Sequence, residues 1–198
     1  MFEPDIKLRA DLPELGKYTI SEDFASILID EILTNQPKVI VEAGSGVSTI
    51  LSAYCIEKNC YGKVYSLEHI AQYVEETRNM ITQHQLNANN INIIHSPLVT
   101  YEFGQEKFNW YSLEKFPNNL TIDLLIVDGP PRTTGKMARY PIIPLFSPYL
   151  SSKATIILDD AKRDDEKEIA NRWLREYPSL NAKVYNTQKG AILFKFNE

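Results

Sequence analysis

Acidic residues at the ends of apolar runs carry the chemistry legible in this chain. Glu42-Ala43-Gly44-Ser45-Gly46 follows Val39-Ile40-Val41 and leads into the helix-like segment Ser48 to Lys58, giving a strand, a glycine turn and a helix in that order. Two glycines let the backbone pass where a Cβ would collide, and a helix start offers unpaired N–H groups, which together suit an adenosine-containing ligand. The pattern G-x-G-x-x-G serves a pyrophosphate, but here position 49 is Thr and the carboxylate of Glu42 sits at the strand end. That combination suits a ligand with a cation and no phosphate. S-adenosylmethionine is such a ligand, and NAD is not.

Glu68 ends the next apolar run, Val64-Tyr65-Ser66-Leu67, about twenty residues after Gly46, the separation at which a strand-end carboxylate meets both hydroxyls of a ribose. His69 follows it, either stacked near the ribose or adenine or simply part of the loop. Asp128 ends Leu124-Leu125-Ile126-Val127, and Asp159-Asp160 ends Ile156-Ile157-Leu158. Neighbouring parallel strands would bring these carboxylates to one sheet edge, where open α/β sheets bind their ligands. Clustered carboxylates repel unless a cation or a shared proton relieves them, and a hard divalent ion such as Mg²⁺ is the simplest remedy. A plainer reading makes Asp160 a cap for the following helix and Asp128 a support for the Gly129 turn or a contact of the cofactor amine.

The elements that must position these residues alternate. Strands are expected at 38–42, 63–67, 91–95, 122–128 and 154–159, each short, apolar and without polar alternation, as strands buried on both faces are. Helices are expected at 22–34, capped by Ser21 or Asp23, at 48–59, at 71–86 and at 164–177. A less regular helix at 136–150 is interrupted by Pro141, Pro144 and Pro148. Residues 183–186 and 191–196 read as an antiparallel hairpin around Lys189-Gly190. Residues 99–121 hold Tyr101, Phe103, Phe108, Trp110, Tyr111 and Phe116, expected mostly to cover the sheet in place of a crossover helix. The pattern predicts an α/β fold, a single domain over 1–198 whose residues 1–36 form an N-terminal cap segment and helix.

Composition narrows the function. A net charge of −5 argues against a nucleic-acid surface. No apolar run approaches the length of a membrane span, and the opening pentapeptide is neither basic nor apolar enough for a signal peptide, so a cytoplasmic location is expected. Cys55 and Cys60 are expected as two thiols, not a disulfide or zinc site. Small-molecule partners fit best, and a homo-oligomer is compatible with the sequence.

Glu42-x-Gly44-x-Gly46, Glu68, Asp128 and the closing hairpin together resemble the class I S-adenosylmethionine-dependent methyltransferases over residues 18–198. The resemblance implies a Rossmann-like, doubly wound seven-stranded sheet, order 3-2-1-4-5-7-6, with strand seven antiparallel. It implies cofactor contacts at Glu42, Gly44, Ser45, Gly46, Glu68, His69 and Asp128, with Ser96 and Leu98 placed at the family's adenine pocket. Asp128, Asp159 and Asp160, with Arg139-Tyr140 between, are similar to the metal site of the metal-dependent O-methyltransferases that act on catechols and on sugars of antibiotic pathways. That likeness implies Asp128, Asp159 and Asp160 as ligands of the ion, and Asp128 and Asp160 as catalytic in deprotonating an acceptor hydroxyl. Tyr18-Thr19-Ile20-Ser21 is expected to close over the methionine end of the cofactor.

One departure concerns the base. The best-known members carry Lys three residues after the strand-four Asp, where this chain has Pro131 and then Arg132, which cannot accept a proton. Lys136, Lys162 and Asp160 remain as candidates. Gly129 to Lys136 only superficially resembles a phosphate-binding loop, because the glycine spacing is wrong and Met137 stands where Ser or Thr would be. Asp128-Gly129-Pro130-Pro131 carries an inserted glycine relative to the amino-group methyltransferase motif. The expected function is therefore methyl transfer to a hydroxyl of a small molecule or sugar. The rival readings are a non-catalytic S-adenosylmethionine-binding protein and an aminopropyl transferase on the same fold.

Overall fold

A computed structural model describes residues 6–16 and 19–197; the opening pentapeptide, on which the leader-peptide reading fell, and Tyr18 of the Tyr18–Ser21 segment lie outside the described residues. The chain runs α1 (Glu22–Asn35), β1 (Val39–Ala43), α2 (Val47–Lys58), β2 (Lys63–Glu68), α3 (Ala71–Gln83) and β3 (Ile91–His95). It continues through β4 (Leu98–Phe103), β5 (Glu106–Tyr111), β6 (Ile122–Val127), α4 (Ile142–Phe146), β7 (Leu150–Asp159), α5 (Asp164–Glu176), β8 (Leu180–Tyr185) and β9 (Ala191–Phe196).

Seven strands form one sheet in the order β3-β2-β1-β6-β7-β9-β8. The pairs from β3 to β7 are parallel, while β9 runs antiparallel to both β7 and β8. This is the expected order, with the numbering shifted by two because β4 and β5 form a separate two-stranded sheet.

Alternate residues of each central strand serve opposite faces, as strand geometry requires. Ile40, Leu124, Ile126 and Ile157 pack under α1 and α2 against Phe24, Leu28, Ile50 and Leu51. Val41, Leu125, Ile156 and Phe194 face the other way, against Trp110, Phe146, Ile169 and Trp173. Both faces are covered, so the strands read as unbroken apolar runs.

Two expected elements change. The helix at 136–150 contracts to α4 and a single 3₁₀ turn at Ser147–Tyr149, because Pro141, Pro144 and Pro148 remove donors along its length. Its last residue joins β7, which begins at Leu150 instead of 154. The aromatic stretch forms an antiparallel hairpin, β4 paired with β5 from Leu98↔Tyr111 to Phe103↔Glu106. Phe108 and Trp110 point inward onto the sheet, as its aromatic content suggested. Cys55 is buried in α2 and Cys60 is exposed, and no disulfide joins them. No helix among the described residues is long and apolar enough to cross a membrane.

Trp173 locks α5 to the sheet: it is fully buried, its indole donates to the Tyr140 carbonyl at 3.1 Å, and its ring meets Phe194 edge-on at 5.5 Å. Trp173→Ala is expected to lower the unfolding free energy by about 3–5 kcal/mol in urea titrations. A loss under ~1 kcal/mol would show that this packing is not what holds α5.

Candidate active site

The carboxyl ends of β1, β2, β6 and β7 bring the expected residues to one edge. Gly44 and Gly46 carry φ of +112° and +145°, a region that side chains with a Cβ rarely adopt. The Gly44 N–H bonds the Leu67 carbonyl at 2.9 Å and the Gly46 N–H bonds the Thr49 hydroxyl at 3.1 Å, so the turn is tied to β2 and to its own helix. Ile50 is the first residue of α2 whose N–H reaches back to a carbonyl, that of Gly46 at 3.2 Å. The N–H groups of Val47, Ser48 and Thr49 take no hydrogen bond among the described residues, as at the start of any helix.

Glu42 and Ser45, both expected at the ligand, are each engaged by neighbouring side chains of the protein. The Glu42 carboxylate is buried beneath the turn, where it accepts hydrogen bonds from Ser48, from Thr49 at 2.6 Å and from Ser66 at 2.9 Å. Burial pushes its pKa up to about 7 against the pull of these hydroxyls, with the Asp128 charge adding to the rise. Its place is structural: it welds β1, β2 and α2 together under the glycines. The Ser45 hydroxyl lies 3.0 Å from that of Thr77, pinning the turn to α3.

Glu68 is where a ribose-binding acid belongs, at the end of β2. One carboxylate oxygen accepts the Ile70 N–H at 2.9 Å and lies 2.9 Å from His69 Nδ1; the other takes no hydrogen bond among the described residues. The His69 ring meets Tyr111 edge-on at 5.7 Å. Ser96 is buried, its N–H bonded to the Glu68 carbonyl at 2.7 Å, and Leu98 opens β4. Tyr111, at the end of β5, reaches the same edge. A Cβ on Gly129 would collide with its hydroxyl, and burial together with the Glu68 charge holds its pKa well above the usual phenol value. His84 is core, buried with Nδ1 2.9 Å from the Tyr54 hydroxyl.

Asp128, Asp159 and Asp160 come together, with one oxygen from each within 4.8 Å of the others. Burial raises the pKa of Asp128, and the Asp160 charge adds to the rise while Arg139 opposes it. Burial, then the charges of Asp128 and Asp160, bring Asp159 to about 7. Both Asp159 oxygens are buried and take no side-chain hydrogen bond among the described residues; the backbone N–H of Asp160 and the charge of Arg139 pull the pKa back down. Asp160 does not cap α5, which begins at Asp164 after Arg163 with no side-chain cap. It takes a left-handed φ of 60° instead, and its carboxylate meets two arginines.

The resemblance included Arg139-Tyr140, but neither the aspartate partners of Arg139 nor any part for Arg163 was expected from the sequence. Arg139, 3% exposed, donates to Asp160 at 2.7 Å and to the main-chain carbonyls of Asp128 at 2.6 Å and Asp159 at 3.0 Å. Arg163 reaches the same Asp160 oxygen at 2.7 Å, and Glu166 lies 3.7 Å from Arg139. Fully ionised, the carboxylates of Asp128, Asp159, Asp160 and Glu166 outweigh the two guanidiniums by two charges. The signal in the sequence was the unbalanced acids themselves, since burying them demands a nearby cation.

The candidate bases are all engaged. Lys136 pairs with Glu168 at 3.0 Å on the exposed side of α5, Lys162 donates to the Thr187 carbonyl at 2.6 Å, and Asp160 is held by the arginines. A lysine not foreseen, Lys189 in the β8–β9 turn, donates to the Thr19 carbonyl at 2.7 Å, and Gln188 N–H bonds the Asp23 carboxylate beside it. This turn packs on the residues after Asp160, with Ala161 N–H bonded to the Gly190 carbonyl at 3.0 Å.

With this geometry in place, the comparisons with known proteins are clear. A family described as a methyltransferase domain matches residues 41–161, more than half of the sequence, so the chain belongs to the methyltransferase-domain family. Comparison with curated protein sequences gives no match. Among solved structures, an O-methyltransferase of Bacillus cereus in complex with SAH is 16% identical, covers 92% of this chain and 84% of its own, and superposes with a TM-score of 0.68. An SAH-bound methyltransferase of Podospora anserina is 15% identical over 91% of this chain and 81% of its own, with a TM-score of 0.70. A putative O-methyltransferase of Klebsiella pneumoniae is 17% identical over 94% and 84%, at 0.66. These likenesses are of fold, and the fold is that of the class I methyltransferases.

Two outcomes follow from the glycine turn. With φ positive at both Gly44 and Gly46, Val at either is expected to cost about 1–3 kcal/mol by thermal unfolding. Glu42, with a pKa raised in the fold, adds stability below its unfolded value of 4.5 that is lost as pH rises to about 7. Glu42→Gln should therefore flatten the stability profile between these values and equal or exceed the wild type at pH 8. A wild-type profile already flat over that range would contradict the buried, proton-holding Glu42.

Proposed function

We propose that the protein is an S-adenosylmethionine-dependent methyltransferase that methylates a hydroxyl of a small molecule, a hydroxylated metabolite or a sugar. One observation carries this reading: a ribose-type acid, a positive-φ glycine turn and a three-aspartate cluster share one sheet edge.

In this reading Glu68 accepts hydrogen bonds from the ribose hydroxyls through its free oxygen, and His69, Ser96 and Leu98 border the adenine. Gly44 and Gly46 keep side chains out of the ligand's path, while the free N–H groups opening α2 suit the amino-acid carboxylate of the cofactor. Tyr111 and Gly129 lie between this region and the aspartates. S-adenosylmethionine supplies the methyl group on a sulfonium centre.

The donor set at the aspartates fits a hard divalent cation such as Mg²⁺. It is all oxygen, its acids outnumber the two guanidiniums within reach, and it includes a buried carboxylate that no side chain engages among the described residues. Asp128, Asp159 and Asp160 would hold the ion, which would lower the pKa of an acceptor hydroxyl. The chain's part is to orient that hydroxyl and exclude water from it.

Calorimetric titration with S-adenosylhomocysteine (SAH), with and without Mg²⁺, tests both halves. SAH is expected to bind, and NAD is not. Glu68→Ala should weaken SAH by roughly 1.5–3 kcal/mol, about 10- to 150-fold, through lost charge-assisted hydrogen bonds. Unchanged affinity in that variant would remove Glu68 from the site. A chelator should leave SAH affinity intact and abolish methyl transfer once an acceptor is found; full turnover in excess chelator would remove the metal.

A further inference from the structure

A cation set among carboxylates either substitutes for a metal ion or shapes the site that holds one, and the two roles leave different contacts. A substitute would engage every carboxylate in reach. Arg139 does not. Its Nη2 donates to Asp160 Oδ2 at 2.7 Å and meets Asp128 Oδ1 at 3.3 Å, but toward Asp159 its Nη1 donates only to the main-chain carbonyl, at 3.0 Å. Among the described residues no side chain donates to either carboxylate oxygen of Asp159, which has only the backbone N–H of Asp160 beside it. The second guanidinium, of Arg163, also chooses Asp160 Oδ2, at 2.7 Å, leaving Asp160 Oδ1 and Asp128 Oδ2 with no hydrogen bond among the described residues.

We propose that Arg139 is a positioning residue for the metal site. It grips one oxygen of Asp128 and of Asp160, and the main-chain carbonyls at the ends of β6 and β7, so that the remaining oxygen of each joins Asp159 in facing a single divalent ion. The guanidinium suits this because its donors lie in one rigid plane, a geometry that the ammonium of lysine cannot supply. Partners of this kind orient ligating carboxylates and set their affinity for the metal. The inference rests on the metal reading above and adds to it a residue that would touch neither ion nor substrate.

Electrostatics alone and positioning predict opposite signs. Deleting the Arg139 charge makes the cluster more negative, so a merely competing cation would, once removed, tighten metal binding. A positioning residue, once removed, loosens it. Mn²⁺ affinity can be followed by the electron paramagnetic resonance of free Mn²⁺ in the wild type, Arg139→Met and Arg139→Lys, with SAH affinity measured on the same samples as a check on folding. The expected result is Mn²⁺ binding 10- to 100-fold weaker in both variants, with SAH still bound by each. Should Arg139→Met lose SAH binding through misfolding, Arg139→Lys decides. Equal or tighter Mn²⁺ in a variant that still binds SAH would overturn the role of Arg139 while leaving the metal reading in place. A wild type that binds SAH but no Mn²⁺ at millimolar concentration would overturn the metal reading and this inference with it.

Discussion

Like charges buried side by side are the constraint on which this molecule turns. Parallel β6 and β7 end together, and each ends in acid, so three aspartates meet, Asp159 and Asp160 buried and Asp128 partly open to water. Repulsion of this kind must be answered within a few ångströms. Much of the carboxyl edge answers it: Arg139 arrives from the loop between β6 and β7, Arg163 from the start of α5, and both strand-end carbonyls are tied to the first of them. The left-handed backbone of Asp160 belongs to the same solution, since it turns that side chain into the guanidiniums.

A second buried acid shows the opposite treatment. Glu42 has no guanidinium; it is met by hydroxyls from Ser48, Thr49 and Ser66, which solvate it without neutralising it. Such a group rests close to the balance between its charged and neutral forms, as its raised pKa says. One edge thus holds an acid satisfied by dipoles and acids satisfied in part by charge, and only the latter retain oxygens that no side chain engages among the described residues.

The fold was legible because periodicity states it. Apolar runs of strand length, spaced by amphipathic helices and ending in an antiparallel pair, leave few ways to build a sheet. The β4–β5 hairpin escaped because aromatic bulk drew the eye from a plain period of two: Tyr101 and Phe103 on one strand, Phe108 and Trp110 on the next. The glycine turn and Glu68 were legible because strand ends fix them. The partners of Arg139 were not, since a proline-containing loop carries it from Asp128 with no periodicity to say where it lands. Glu42 looked like a ligand contact for a similar reason: position along a strand says which edge a side chain reaches, but not which hydroxyls the fold will bring beneath it.

The tie between the chain's two ends has a kinetic meaning. Asp23 meets Gln188 across 165 positions, and Thr19 meets Lys189 across 170. Bridging such separations costs loop entropy that is recovered only when the intervening sheet already exists. The wall that these contacts build beside the aspartates therefore assembles last. A molecule with β1 to β7 in place but this seam still open would have its glycine turn and aspartates assembled while the segment before α1 still lacked its ties to the β8–β9 turn.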